Sequence, residues 1–422
     1  MEKNHLYDLI VIGGGAAGIF TAVNAARLQP SWKVLVLEKS SKLLSKVKGR
    51  GGGRCNVTHA CFDKRQLAAH YPRGEKFVRQ YAYHFFTTDT IQWFDERGVK
   101  LKTESDGRMF PITNDSQTII ETLLKEASTY GVEFRLNTSV EVIQNKEGKF
   151  TIELADKRKI KALYCCIATG GFPKLSQYDW MQQLGHSIVA PVPSLFTFNA
   201  PGHAITKLMG ISIPLGKVKI TGAKMVQTGP VLITHWGLSG PSILKLSAWA
   251  ARELQACKYE FSIQLNWLEG EGWNASNLGG YFTQQRVDHP TQLLKNSKMF
   301  QLPQRLWDFF LKEAGITIDT SFANLPKKQE NKLVKLLTDM EMSIHGKTTF
   351  KEEFVTAGGV SLQEIDSQTM ESKLVPHLYF AGEIMDVDGV TGGFNFQHAW
   401  ASGYLAAKAM TSVVTPGDQT EV

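Results

Sequence analysis

The 422 residues predict an α/β chain in which an open, largely parallel sheet with flanking helices is split by an inserted β-rich unit. Three observations predict it. A buried-strand pattern, a glycine turn and a helix open the chain. A second strand, glycine and helix passage closes it. Between about 191 and 345 the pattern changes to short strands followed by helical stretches. The expected division is 1–190 and 346–411 for two parts of one domain, 191–345 for the insert, and 412–422 for a flexible tail.

Residues 6–12, LYDLIVI, form a compact apolar run ended by glycine, which suits a strand buried in a parallel sheet. Gly13, Gly15 and Gly18 follow as a GxGxxG match, and IFTAVNAARLQ continues with helical spacing. A second apolar run, KVLVLE, ends in Glu38, 20 residues beyond Gly18. Each part suits a dinucleotide. Gly13 makes the tight turn, Gly15 admits a pyrophosphate to the backbone, and Gly18 lets helix and sheet pack closely. Ala16 and Ala17 open the helix, whose N-terminus faces the phosphate charge. Glu38 is placed to accept hydrogen bonds from the adenosine ribose. A GxGxxG alone is a weak signal; strand, motif, helix, strand and acid in register are a strong one.

After residue 60 the chain is helical and aromatic, and FVRQYAYHFFTTDTIQWFDERG reads mainly as core. A helix capped by Asp115 or Ser116 and stopped at Gly131 follows, then VEFRLNTSVEVI, GKFTIELADKRKIKA and LYCCIATGG as successive strands. Ala168, Thr169 and Gly170 close this section with the ATG that ends a returning strand in two-dinucleotide flavoproteins. APVPSLFTFNAP is proline-spaced and reads as a linker into the insert. The insert carries KVKITGAKM, GPVLITHW and KYEFSIQLNW as strands and three helical stretches. It holds no second GxGxxG, so a dedicated Rossmann domain for NADPH is not expected.

The late passage LYFAGEIMDVDGVTGGFNFQHAW returns to glycine, with a strand ending in Gly382 and Glu383 and a helix whose N-terminus is set by Gly393, Phe394 and Asn395. FAD is long enough to need both passages. Its adenine end fits the first turn. Its ribityl chain fits a late strand ending in Gly-Glu, and the N-terminus of the next helix stabilises the anionic reduced ring.

Bulk properties narrow the class. The net charge of +7 and pI near 8.9 are a mild sign of a polyanionic partner. Five cysteines with no CxxC or zinc spacing fit a reducing compartment, and no metal site is expected. No apolar run is long enough to span a bilayer and the N-terminus is not a signal peptide, so a cytoplasmic protein without a membrane partner is expected.

With IGGGAAG (12–18), GGGRCNVT (51–58), RMFP (108–111), ATGG (168–171), THWGLSGP (234–241), TAGGV (356–360) and the 378–400 passage, the sequence resembles a bacterial family of FAD flavoproteins. The family is labelled NAD(P)/FAD-dependent oxidoreductase or aminoacetone-oxidase-like. The resemblance implies a Rossmann-like FAD-binding domain split by a β-barrel-like and small helical insert, with NAD(P)H as external reductant. It also implies one of several activities: amine oxidation, enone reduction in bile acids, or reduction of uridine to dihydrouridine in large-subunit ribosomal RNA.

Between Lys39 and Arg54 lie six cations and no acid: Lys39, Lys42, Lys46, Lys48, Arg50 and Arg54. In related folds this connection runs along the flavin, so Lys39, Lys46, Gly52, Gly53 and Arg54 are candidate cofactor contacts. Arg50 is a candidate for a substrate phosphate. Cys55, closing that cationic loop, is a candidate proton donor to a carbon being reduced; the alternatives are a packing residue or a disulfide with Cys61. His235 is a candidate substrate contact. Three functions compete: a C=C reductase acting on ribosomal uridine, an oxidase or reductase of a small amine or enone, and a flavin-bound RNA-binding factor without turnover.

Overall fold

The computed structural model describes residues 6–49, 52–297, 300–348 and 355–412. The chain divides into two compact units, Met1–Pro193 with Phe350–Val422, and Ser194–Thr349.

In the first unit the spatial strand order is Glu133–Arg135, Val34–Leu37, Leu6–Ile12, Lys159–Ile167, Lys149–Leu154, Val140–Lys146. The first four are parallel and the last two antiparallel. The strand Lys159–Ile167 organises this sheet. Its first half pairs antiparallel with Lys149–Leu154, and its second half pairs parallel with the late strand Leu378–Phe380. KIKALYCCI is therefore one continuous strand, where the sequence reading divided it between two. The four-residue strand Val34–Leu37 is wholly buried, as a central parallel strand covered on both faces must be.

The helix Ala16–Leu28 leaves the first strand and is buried from Ala17 to Ala26. The C-terminal helix Phe394–Ser412 packs on it. Small residues make the approach possible: a Cβ on Gly403 would stand 2.9 Å from the Ala17 carbonyl oxygen. Phe20, Trp93 and Trp400 pack their rings around this pair, with centroids 4.6 Å and 5.2 Å from Phe20. The helix continues to Ser412, one residue into the segment read as tail; 413–422 lie outside the described residues.

The proline-spaced segment is not a linker. Ile188–Ser194 is a strand paired with Val355–Val360 in a two-stranded sheet. A strand bonded on one side alone tolerates Pro191 and Pro193, whose missing N–H groups leave no gap in a ladder.

The second unit is an antiparallel sheet in the spatial order Met340–His345, Glu260–Asn266, Ser212–Ile220, Val226–Ile233, Gly237–Ser239, Thr197–Asn199, Lys347–Thr348. The first and last of these are separated in sequence by Gly346 alone. The sheet thus curls until its two ends are consecutive in the chain, which is the barrel-like insert the resemblance implied. Alternation is plain in Met340–His345, where every second residue is buried. Helices Ala275–Asp288, Gln304–Ala314 and Lys327–Thr338 supply Phe282, Phe310 and Leu333 to the same hydrophobic core.

Candidate active site

Ile12, Leu37, Ile167 and Phe380 end four parallel strands in one register. The ladder runs one bond further. Gly13 N–H donates to the Leu37 carbonyl at 2.8 Å, Ala168 N–H to that of Ile12 at 2.8 Å, and Ala381 N–H to that of Ile167 at 3.0 Å. Residues 13, 38, 168 and 381 therefore begin four loops at one place, the carboxyl edge where open α/β sheets hold ligands. A cleft of about 330 Å³ lies there.

The glycines of the first turn have separate duties. A Cβ on Gly13 would stand 2.4 Å from the Ala168 carbonyl oxygen, and one on Gly18 would stand 1.9 Å from that of Gly13. Both are packing positions. A Cβ on Gly15 would meet nothing within 4 Å. Gly15 is the N-cap of the helix, offers no capping side chain, and no acid occupies the helix's first turn. That end leaves uncompensated N–H groups and partial positive charge toward the cleft, the requirement of a phosphate site.

Glu38 ties the turn to the next loop: its Oε2 accepts from Gly14 N–H and its Oε1 from Ser40 N–H, both at 2.8 Å. On the opposite side Lys46 Nζ donates to Glu383 Oε2 at 2.8 Å, and Thr356 N–H to Glu383 Oε1 at 2.9 Å. The hydroxyl of Thr356 is buried without a hydrogen-bond partner among the described residues, and a Cβ on Gly171 would stand 2.6 Å from it. The late helix adds a second N-terminus free of acid, with Asn395, Phe396 and His398 on the cleft wall. His398 also bridges the Gly382 carbonyl, 3.3 Å from Nε2, and the Tyr81 hydroxyl, 2.9 Å from Nδ1. Complete burial pushes its imidazole down to about 4, so it is neutral at physiological pH.

The HI0933-like protein Rossmann domain matches residues 7–409. A protein of Escherichia coli (strain K12) named ribosomal RNA dihydrouridine synthase is 31% identical over 412 residues, 95% of this chain and 97% of that one. The protein of that name from Haemophilus influenzae is 31% identical over 415 residues, 95% of this chain and 98% of its own.

The chain belongs to the HI0933-like Rossmann family.

It is an oxidoreductase of that family. A further relative, the 3-dehydro-bile acid delta(4,6)-reductase of Clostridium scindens, is 27% identical over 94% of this chain and 98% of its own. The fold is shared with the 3-ketosteroid delta1-dehydrogenase of Sterolibacterium denitrificans, solved with 1,4-androstadiene-3,17-dione. There the TM-score is 0.52 at 13% identity, over 97% of this chain and 100% of that one.

The cleft of this family member gathers many of the residues singled out in the sequence. Gly13, Gly15, Ala16 and Ala17 line it from the first turn, and Glu38, Lys39 and Lys46 from the second loop. Ala168, Thr169 and Gly170 line it from the returning strand, and Gly382, Glu383 and Asn395 from the late passage. Gly18 lies beneath it as a packing residue.

Other expected contacts stand elsewhere. Gly52 and Gly53 are exposed at φ +65° and +83° and do not line the cleft. Arg54 is drawn away, donating to Glu104 at 2.5 Å with its guanidinium 4.1 Å from the centre of the Phe110 ring. Cys55 is fully buried at φ +56°, off the exposed cationic face, and it forms no disulfide with Cys61. Gly393 is a packing glycine: a Cβ there would stand 2.6 Å from the Thr58 carbonyl oxygen and 2.9 Å from Asn56 Oδ1. Phe394 is buried between the rings of His59 and His70, at 4.8 Å and 4.2 Å. Arg50 lies outside the described residues. His235 is exposed in the second unit, its ring 4.0 Å from that of Trp236.

Sequence reasoning did not single out Ser40, Lys42, Ser45 or His398 as contacts of the cleft wall. The signal for Ser45 was the short helix Ser45–Gly49, whose periodicity is hidden by the run of cations.

Proposed function

We propose that the cleft holds FAD and that the protein reduces a conjugated C=C bond, with uridine in large-subunit ribosomal RNA as substrate. The observation that carries the cofactor is that two acid-free helix N-termini, of 16–28 and 394–412, line one cleft together with Glu38 and Glu383. A pyrophosphate suits the first terminus and a flavin ring that becomes anionic suits the second. The open space at Gly15 and the unpartnered Thr356 hydroxyl fit an extended polar ligand.

When bound, reduced FAD supplies a hydride from N5 to one carbon of the C=C bond, and the neighbouring carbon takes a proton. Glu38 holds the adenosine end by fixing the Gly14 and Ser40 amides. Lys46 and Glu383 fix the ribityl end by spanning two segments 337 residues apart. Cys55 is the proposed proton donor: its buried thiol is not on the cleft wall, but its neighbour Asn56 sits against Gly393 at the start of the late helix. NAD(P)H is the proposed reductant.

The RNA reading rests on the two ribosomal RNA dihydrouridine synthases, which match this chain along nearly their whole length. Charge supports it. Residues 194–349 hold 17 Lys and Arg against 11 Asp and Glu, so +6 of the chain's +7 falls in the second unit. The second reading, an enone reductase, is favoured by the bile acid reductase relative. Mass spectrometry of ribosomal RNA from cells with and without the gene separates them. Loss of one uridine heavier by two hydrogens supports the proposal; identical RNA rejects the uridine substrate.

A further inference from the structure

Outside the cleft, the first unit carries a cavity of about 510 Å³ lined by Arg65, Arg79, Gln80, Tyr83, His84 and Gln368. No carboxylate lines it. Several arginines elsewhere are ion-paired: Arg73 with Asp388, Arg97 with Glu126, Arg108 with Asp106, Arg286 with Glu330. Neither guanidinium of this cavity has a hydrogen bond or ion pair among the described residues. Nearby acids are occupied or turned to local work. Asp63 caps the helix Lys64–Ala68 by accepting from Arg65 and Gln66 N–H, and Asp366 accepts from Gln368 and Thr369 N–H.

An aromatic platform stands beside these cations. Tyr83 is 60% exposed, and the Lys64 ammonium lies 4.6 Å from the centre of its ring. Phe62, close by in sequence, is 58% exposed. Two open guanidinia, an exposed ring and two glutamine amides are the set that grips a nucleotide: planar cations for phosphate, a π-face for the base, and paired donor and acceptor for its edge. The place is also right. Arg79 and Gln80 sit on the outer side of the helix Glu75–Tyr81, while the inward Tyr81 bonds His398 on the cleft wall. The helix Glu75–Tyr81 thus lines the cavity with Arg79 and Gln80 and reaches a residue of the cleft through Tyr81.

We propose that this cavity binds a nucleotide of single-stranded RNA flanking the reacting uridine, its phosphate between Arg65 and Arg79 and its base on Tyr83. The inference rests on the RNA reading above and adds to it a site for the neighbouring residue of the substrate.

Fluorescence anisotropy of a labelled, uridine-rich single-stranded RNA with the full chain, over a salt series, tests it. The variant R65A/R79A should bind at least tenfold more weakly, with the slope of log K against log salt reduced by about 0.7, the share of one neutralised phosphate on a single strand. Y83A should weaken binding about tenfold with the slope unchanged. R65K/R79K should keep the slope. Unaltered melting temperature and flavin content show that each variant is folded. Wild-type affinity and slope in R65A/R79A, or no RNA binding by the unmodified chain, would overturn the site. Unchanged binding by Y83A would overturn the nucleotide and leave a general polyanion surface. The two readings fail separately. Lost binding in these variants, with unchanged ribosomal RNA in cells lacking the gene, retains the site and removes the uridine. Restoration of the modified uridine by the R65A/R79A gene together with wild-type RNA affinity removes the site alone.

Discussion

Two glycine-rich stretches lie within forty residues of each other in the first unit, Gly13–Gly18 and the passage containing Gly52 and Gly53. In composition they are nearly alike. In the first, side chains are excluded by neighbours: a Cβ would stand 2.4 Å from backbone at Gly13 and 1.9 Å at Gly18. In the second, a Cβ would meet nothing within 4 Å at either position, and both residues are exposed. The first stretch uses glycine for closeness and the second for its left-handed φ. A glycine run therefore marks a ligand site only through what approaches it, and here strand register brings Ala168 and the helix start onto the first run.

The largest expected difference follows from that contrast. Gly18→Val has no room to relax, because the obstructing atom is the Gly13 backbone; it should cost at least ~3 kcal/mol or prevent folding, measured by urea denaturation. Gly53→Ala should cost only about 1 kcal/mol, from its φ of +83°. Equal costs would erase the distinction.

The enclosed side should also be the pH-sensitive one. His398, fixed on the Gly382 carbonyl, stays neutral in the folded chain down to about 4, while the unfolded chain takes up its proton near 6.5. Stability is then fully present above the unfolded value. It falls by about 3 kcal/mol as pH drops toward 4, and this residue adds no further loss below that. Urea denaturation across this range should show the slope, and His398→Gln should flatten it.

A smaller effect tests the bridge that closes the cleft. Lys46→Met leaves Glu383 without its cation and should weaken FAD binding about tenfold, read by flavin fluorescence, while Arg54→Met, whose partner is Glu104, should leave it unchanged. Cys55→Ala should lower turnover with flavin retained; unchanged turnover removes the assigned proton donor.

Legibility in the sequence followed the range of each constraint. Gly13, Gly15, Gly18 and Glu38 were readable because strand, turn, helix and acid are spaced within one βαβ unit. The cations from Lys39 to Arg54 were not sortable, because Lys46 is recruited by Glu383 and Arg54 by Glu104, choices made far along the chain. Pro191 and Pro193 suggested a linker because edge pairing with 355–360 leaves no local trace. The aromatic stretch 77–98 read as core, and Phe77, Tyr81, Phe85, Trp93 and Phe94 are buried. Tyr83 is the exception, two positions from Tyr81 on a chain that has just left its helix, so the ring emerges on the outer side.

The central claim is that one extended cofactor is held at both ends by distant segments. Titration of the flavin-free full chain with FAD, FMN and ADP, with Glu38→Ala and Glu383→Ala alongside, tests it most directly. The account predicts one FAD per chain, weaker binding of either fragment, and loss of FAD affinity in both variants. FAD bound no more tightly than FMN, or no uptake of FAD at all, would contradict it.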